Sequence, residues 1–152
     1  MFQFHNPGIL ADHDLELVLT DKYPGDPDIN YAPAYKFKMK IVGQRHEKGI
    51  GRIELRVGNT DRITLYGGHI GYGVDPEHRG HQYAARTCRL LLPLARSHGL
   101  DALWITCNPD NAASRRTCEL AGAELVEIID LPEDTDVYRE GERKKCRYRI
   151  DL

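Results

Sequence analysis

The stretch GHIGYGVDPEHRGHQYAAR, residues 68–86, carries four glycines and three histidines between an alternating run and a helical pattern. The N–H groups in the first turn of a helix lack partners within the helix and carry the positive end of its dipole. Gly80 lets an anion approach the backbone and Arg79 adds positive charge, so the stretch favours a pyrophosphate ligand. The alternative is a strand–helix turn whose glycines serve only to adopt positive φ angles. Neither G-x-G-x-x-G with a downstream ribose acid nor G-x-x-x-x-G-K-S/T is present.

The length and charge of the chain fit one soluble domain over residues 1–152. The net charge of -2 comes from 21 basic and 23 acidic residues, so no overall field favours nucleic acid or an anionic membrane. No apolar run approaches the ~20 residues that span a bilayer. The four cysteines are far apart and no signal peptide precedes them, which predicts free thiols in a reducing cytosol.

The periodicity changes from strands to helices halfway along the chain. Alternating runs predict three strands over residues 15–20, 35–43 and 51–59, and GNTD predicts a hairpin turn into a fourth run over residues 62–74. Two helices and three further strands follow, predicted over residues 82–98, 101–107, 110–121, 123–131 and 144–152. The order predicts an α/β protein of the α+β type, with about seven strands in a mixed, mostly antiparallel sheet and little helix near the N-terminus.

Two motifs in this order resemble those of a known superfamily. HIGYGVDPEHRGHQYAA, residues 69–85, resembles motif A of the GNAT superfamily of acyl-CoA-dependent N-acyltransferases, and NPDNAASRRTCELAGAE, residues 108–124, resembles its motif B. The resemblance covers about residues 15–152 and is closest to the branch that acetylates ribosomal-protein N-termini and small amines. It implies a sheet splayed between the fourth and fifth strands, and an N-acetyltransferase with acetyl-CoA as co-substrate.

The resemblance also implies where the cofactor binds. The pyrophosphate would be held by the backbone amides of Arg79, Gly80, His81, Gln82, Tyr83 and Ala84. The pantetheine arm would lie along Gly71, Tyr72, Gly73 and Val74. Asn111 and Ser114 match motif B positions that contact the cofactor, although a helix cap and a first-turn serine would have the same sequence. Gln82 stands where motif A usually has its second glycine.

Three residues are predicted to carry the proton transfers. His69 occupies the place of a glutamate in the resembling branch, and a histidine with a pKa near ~6.5 suits a general base for the amine. The alternative for His69 is a single hydrogen bond on a polar sheet face. Tyr138, like Tyr72, could act as the acid or line the pocket, and Cys118 stands where many members have the acidic tyrosine, or it only packs. The histidines show no metal-ligand spacing, so no metal is expected.

The acceptor is predicted to be a primary amine of a small molecule or of a protein N-terminus. The acceptor pocket is expected to form from the loops over residues 26–33 and 132–142 and from the segment over residues 66–69. Acidic residues in the two loops favour a cationic amine, unless these loops are simply polar. Dimers are common among proteins of this kind, so a homodimer belongs with the expected partners. Two other functions stay open: an acyl-CoA-binding sensor with impaired catalysis, and nucleotide binding by an unrelated strand–helix loop.

Overall fold

The computed structural model describes residues 2–44 and 48–152. Within them lie eight strands: β1 (Leu10–Asp12), β2 (Leu15–Tyr23), β3 (Ala34–Ile41), β4 (Gly51–Arg56), β5 (Ile70–Val74), β6 (Ala102–Cys107), β7 (Glu124–Asp130) and β8 (Lys144–Asp151). The α-helices are α1 (Tyr83–Ser97), α2 (Ala112–Leu120) and α3 (Asp136–Arg139). A π-helix spans Arg62–Gly67, and single 3-10 turns span Pro27–Ile29 and Pro76–His78.

The strands form two antiparallel sheets that meet at the middle of the chain. The first sheet has the order β1-β2-β3-β4-β5, and the second has the order β6-β8-β7. The splay between them therefore lies between β5 and β6, which are the fourth and fifth strands of the sequence-based prediction. The predicted mixed α/β architecture is confirmed, with the three-residue β1 as the additional strand.

Alternation along the first sheet divides its two faces. Phe37, Met39, Ile53 and Leu55 are at most 2% exposed and pack on one face, together with α1 residues such as Leu91. Burying apolar side chains of this size contributes about 1.5–3 kcal/mol each, so this face holds α1 in place. Of the described helices, none combines the length and the apolar character needed to cross a bilayer.

The π-helix replaces part of a predicted strand. The sequence predicts a run of strand over residues 62–74, but the first half of that run closes into a turn in which Gly68 N–H donates to Ile63 O at 2.8 Å. The guanidinium of Arg147 on β8 donates two hydrogen bonds to the carbonyl of Thr64. Arg147 lies 83 residues away along the chain, so local alternation could not indicate this contact.

The two sheets are joined at the base of the splay by His69 and Trp104. His69 N–H donates to Trp104 O at 2.7 Å, and Trp104 N–H donates to the ring Nδ1 of His69 at 2.8 Å. Gly68, just before this pair, has a φ of 76°, and a Cβ there would lie 2.9 Å from Trp104 O. Only glycine therefore lets β6 approach so closely.

We predict that Gly68→Ala destabilises the protein more than Gly99→Ala. Both glycines have similar positive φ angles, 76° and 78°, but a Cβ at Gly99 meets no atom within 4 Å. Gly99→Ala should cost about 1 kcal/mol of unfolding free energy from backbone strain alone. Gly68→Ala should cost about 1–3 kcal/mol more, because the Cβ displaces the backbone of β6. Urea unfolding measures both free energies, and equal losses of stability in the two variants would contradict the close approach of β6 to Gly68.

Candidate functional site

A small cavity of about 380 Å³ lies between β5, the start of α1 and the start of α2. The structure brings together here all of the predicted cofactor residues except Gly71: Tyr72, Gly73, Val74, Arg79, Gly80, His81, Gln82, Tyr83, Ala84, Asn111 and Ser114. Gly71 lines the adjoining larger cavity. The geometry therefore offers one concave site to a ligand that contacts both motifs.

The start of α1 presents backbone N–H groups to this cavity. The bond from Arg86 N–H to Gln82 O, at 3.0 Å, is the first of the helix, so the preceding N–H groups have no partner within α1. No side chain caps this end, and its first turn contains no acidic residue. The positive end of the helix dipole is consequently open to an anion such as a pyrophosphate.

Gln82 adopts a left-handed backbone conformation, which favours glycine. Its φ and ψ angles are 62° and 23°, in the left-handed region, and Gly80 two residues earlier has a φ of 91°. A residue with a Cβ enters this region at a cost. Gln82 therefore holds a left-handed conformation that glycine would adopt without this local strain.

Tyr72 and Ser114 connect the small cavity to the large one, since both residues line both cavities. The phenol hydroxyl of Tyr72 donates to Ser114 Oγ at 3.1 Å. Asn111 caps α2 by accepting a hydrogen bond from Ser114 N–H at 3.1 Å, which fixes the first turn that carries the serine. Burial raises the pKa of Tyr72, so the phenol holds its proton at neutral pH.

The large cavity has a volume of about 760 Å³ and is floored by the face of the first sheet opposite to α1. Its charged lining residues are Lys36, Glu54, Arg56, Arg62, Glu142 and Lys145. Both carboxylates are paired: Arg56 Nη2 lies 2.6 Å from Glu54 Oε1, and Lys145 Nζ lies 2.8 Å from Glu142 Oε2. The lining therefore carries more positive than negative charge.

His69 is completely buried and lines neither cavity. Because the Trp104 N–H can only donate, Nδ1 of His69 is an acceptor, and Nε2 carries the proton that it donates to Gly58 O at 2.9 Å. Burial lowers the pKa of His69 to about 4. These surroundings do not favour the predicted role of general base, because both ring nitrogens are occupied, Nδ1 by Trp104 of the second sheet and Nε2 by Gly58 of the first.

Tyr138 and Cys118, the other two predicted catalytic residues, also line neither cavity. The guanidinium of Arg143 covers the ring of Tyr138, at 3.8 Å from its centroid. Cys118 is completely buried, and its hydrogen bond with Cys107 together with burial raises the pKa of its thiol. The Cys118 position in motif B therefore holds a packed thiol in this chain, and the phenol nearest to Ser114 comes from β5.

Of the residues that line the large cavity, Tyr66 and Glu142 lie in segments that the sequence predicts around the acceptor, whereas Glu54 was not singled out. The alternation of β4 does place Glu54 on the polar face, and its register partner Gly71 lies on β5. Tyr66 reaches the cavity because it lies in the π-helix that the sequence did not predict. Among the described residues, no group of three potential metal ligands is present.

Comparison with known proteins identifies a family model that matches most of the chain. A family model described as an acetyltransferase (GNAT) domain matches residues 15–124. No curated protein matches the chain.

Among solved structures, the fold is similar to RimL, a ribosomal L7/L12 α-N-protein acetyltransferase in complex with coenzyme A, with a TM-score of 0.66 and 13% identity over 95% of this chain and 98% of RimL. A probable GNAT acetyltransferase from Chromobacterium violaceum has a TM-score of 0.66 and 14% identity over 98% of this chain and 88% of its own. An acetyltransferase from Bacillus anthracis has a TM-score of 0.58 and 19% identity over 76% of this chain. Only 65% of the Bacillus anthracis protein is covered, so the chain spans just under two thirds of that protein's length.

We predict that Gln82→Gly stabilises the protein, whereas Gln82→Ala does not. Glycine occupies the left-handed region without the steric cost that Gln82 meets there, and alanine keeps the Cβ that causes the cost. The expected gain in unfolding free energy for Gln82→Gly is about 0.5–1 kcal/mol. Urea unfolding of the wild type and both variants measures it, and a loss of stability in Gln82→Gly would show that the loop is unstrained.

We predict that His69 makes the protein sensitive to acid between pH 6.5 and about 4. The folded-state pKa is lowered, so the unfolded chain binds a proton first as the pH falls through this window, and folding loses stability there. The loss attributable to His69 is about 3 kcal/mol for a shift from 6.5 to about 4.

The measurement is urea unfolding at intervals from pH 7 to pH 4 for the wild type, His69→Asn and His13→Asn. The side chain of His13 is 89% exposed, so His13→Asn should keep the pH dependence of the wild type. His69→Asn keeps an acceptor for the Trp104 N–H and should be less stable at pH 7 but lose less stability on acidification. If the unfolding free energy depends on pH identically in His69→Asn and the wild type, His69 is not the source of the acid sensitivity.

Proposed function

Since the chain belongs to the acetyltransferase (GNAT) family, we propose that it transfers an acetyl group from acetyl-CoA to a primary amine of a small molecule or of a protein N-terminus. Membership of this family makes the protein an acyltransferase and acetyl-CoA its co-substrate. The observation that carries the proposal is the junction of the two cavities at Tyr72 and Ser114. Acetyl-CoA bound in the small cavity would place its thioester at this junction, where an amine in the large cavity can attack it.

The chain's own residues account for binding of the cofactor in the small cavity. The uncapped start of α1 offers N–H groups to the pyrophosphate, and Gln82, Tyr83 and Ala84 line the cavity there. The strand β5 pairs with β4 along one edge, and its other edge faces the splay. Backbone groups from Gly71 to Val74 on that free edge can bond the amides of the pantetheine arm.

We infer that carboxylates in the large cavity take the proton from the attacking amine. Aminolysis needs a neutral amine, so a base must remove its proton directly or through water. Glu54 lies opposite Gly71 in the sheet register, and Glu142 accepts a hydrogen bond from Asn108 Nδ2 at 3.2 Å. We assign the base function to this pair of carboxylates, because both line the cavity that the amine enters.

Tyr72 is the residue that we assign as the acid for the departing thiolate. Its hydroxyl lies at the junction of the cavities, bonded to Ser114 Oγ, and burial raises its pKa so that the proton is retained until a strong base appears. A coenzyme A thiolate formed at the junction is such a base. The Tyr72 phenol thus supplies from β5 the group that many relatives carry at the position of Cys118.

The site does not favour two of the remaining predictions, and two others stay predictions. A catalytically impaired sensor is not favoured, because Gln82 keeps the loop conformation of a glycine and a phenol is present at the junction. A cationic acceptor is not favoured either, because four basic and two acidic side chains line the large cavity. A homodimer and a cytosolic location stay predictions.

We predict that Tyr72→Phe lowers kcat for thiol release from acetyl-CoA by about 100-fold, because a positioned acid contributes ~10²–10⁴-fold to such a step. The KM for acetyl-CoA should change by less than about threefold, because the aromatic ring still lines the small cavity. The measurement is thiol release across a panel of primary amines.

Tyr138→Phe provides the matched control, since it removes the other candidate phenol, which lies outside both cavities. Its kcat should equal that of the wild type. A full rate for Tyr72→Phe would exclude Tyr72 as the acid. Absence of thiol release from the wild type with every amine would refute the proposed transferase function.

A further inference from the structure

We propose that the acceptor carries an anionic group, a carboxylate or a phosphate, that binds Lys36 in the large cavity. This inference rests on the proposed function, in which the large cavity receives the acceptor. It concerns the part of the site that the two motifs do not determine, because Lys36 lies on β3, outside both of them.

The sheet register places Lys36 in line with the reacting centre. Lys36 is the partner of Glu54 between β3 and β4, and Glu54 is the partner of Gly71 between β4 and β5. Directly opposed residues of antiparallel strands share a face, and all three of these residues line the large cavity. Two strand spacings separate the backbone of Lys36 from that of Gly71, which is about 10 Å.

Lys36 is the cation of this cavity whose charge is not matched by an ion pair within the described residues. Arg56 pairs with Glu54, Lys145 pairs with Glu142, and Arg62 pairs with Asp136. The guanidinium of Arg62 also lies 4.1 Å from the centroid of the Tyr31 ring and donates to its hydroxyl. The paired cations are thereby committed to the protein, and the ammonium of Lys36 is available to a ligand.

The carboxylate on β2 opposite Lys36 does not occupy the position of the proposed anion. Asp21 is the register partner of Lys36 on the β2 side, but its Oδ1 accepts a hydrogen bond from the N–H of Lys22 at 2.8 Å. Asp21 does not line the cavity. An anion entering the large cavity therefore meets Lys36 without displacing a carboxylate from it.

The same spacing sets the size of the acceptor. The amine must reach the junction near Gly71, whose backbone lies about 10 Å from that of Lys36, and the flexible lysine side chain can bind an anion at about this distance from the amine. Three extended residues of a peptide span about 10 Å, so the carboxylate of a tripeptide can reach Lys36 while its N-terminal amine reacts. An aminoalkyl phosphate of similar length offers the same chemistry from another source.

The test compares acceptors that differ only in their negative charge. Trialanine with a free carboxylate is compared with trialanine amide, and 6-aminohexyl phosphate with 6-aminohexanol, each by thiol release from acetyl-CoA. We expect kcat/KM of the wild type to be roughly five- to tenfold higher for the charged member of at least one pair, since Lys36 is exposed and its ion pair is screened. The pair with the larger ratio identifies the anion as a carboxylate or a phosphate.

Variants at two lysines of β3 identify the residue responsible. Lys36→Gln should lower the ratio of kcat/KM between the charged and the uncharged acceptor to about one, and Lys36→Glu should reverse the preference. Lys40→Gln is the matched control, because Lys40 lies on the same strand and face but outside the cavity. It should keep the ratio of the wild type.

Equal rates for both members of each pair in the wild type would overturn the proposal, as would equal losses for charged and uncharged acceptors in Lys36→Gln. Failure of the transferase function is distinguished by direct binding. Where no amine releases thiol, the same four compounds are titrated by NMR into the protein saturated with coenzyme A. Tighter binding of the charged member that is lost in Lys36→Gln supports the anion site, and equal binding overturns it.

Discussion

The two sheets are held together where His69 satisfies both backbone groups of Trp104, its own N–H bonding the carbonyl and its ring Nδ1 accepting from the amide. In a continuous sheet a strand carbonyl would take that second hydrogen bond, and the ladder would continue. A side chain takes it here, so the pairing ends after one residue and β5 and β6 diverge. The free edge of β5 and the junction of the two cavities depend on this ending.

The divergence separates two environments that a transferase needs to keep apart. On one side the uncapped start of α1 presents N–H groups, which suit the diphosphate of a cofactor. On the other side the polar face of the first sheet presents ionised side chains, most of them paired with each other. Tyr72 and Ser114 line both cavities, so in the proposed reaction the proton would be transferred where the two cavities meet.

The sequence predicted the parts that local pattern determines. Alternation and helix periodicity predicted β2 to β8, α1 and α2. The two motifs predicted most of the residues that line the small cavity, because each motif is a contiguous loop followed by a helix start. It did not predict the π-helix, which Arg147 stabilises from 83 residues away. For the large cavity it predicted three contributing segments, over residues 26–33, 66–69 and 132–142, but not the residues of β3 and β4, whose place depends on register rather than on any one motif.

His69 shows why a motif position does not by itself determine a chemical role. A base must alternate between two protonation states, but protonating His69 would place the second proton of the ring on Nδ1, the nitrogen that accepts the Trp104 N–H. Catalysis at His69 would thus break the contact that forms the splay. The proposed acid Tyr72 and the proposed bases Glu54 and Glu142 leave that contact intact, because their contacts are with Ser114, Arg56 and Lys145 rather than with Trp104 or His69.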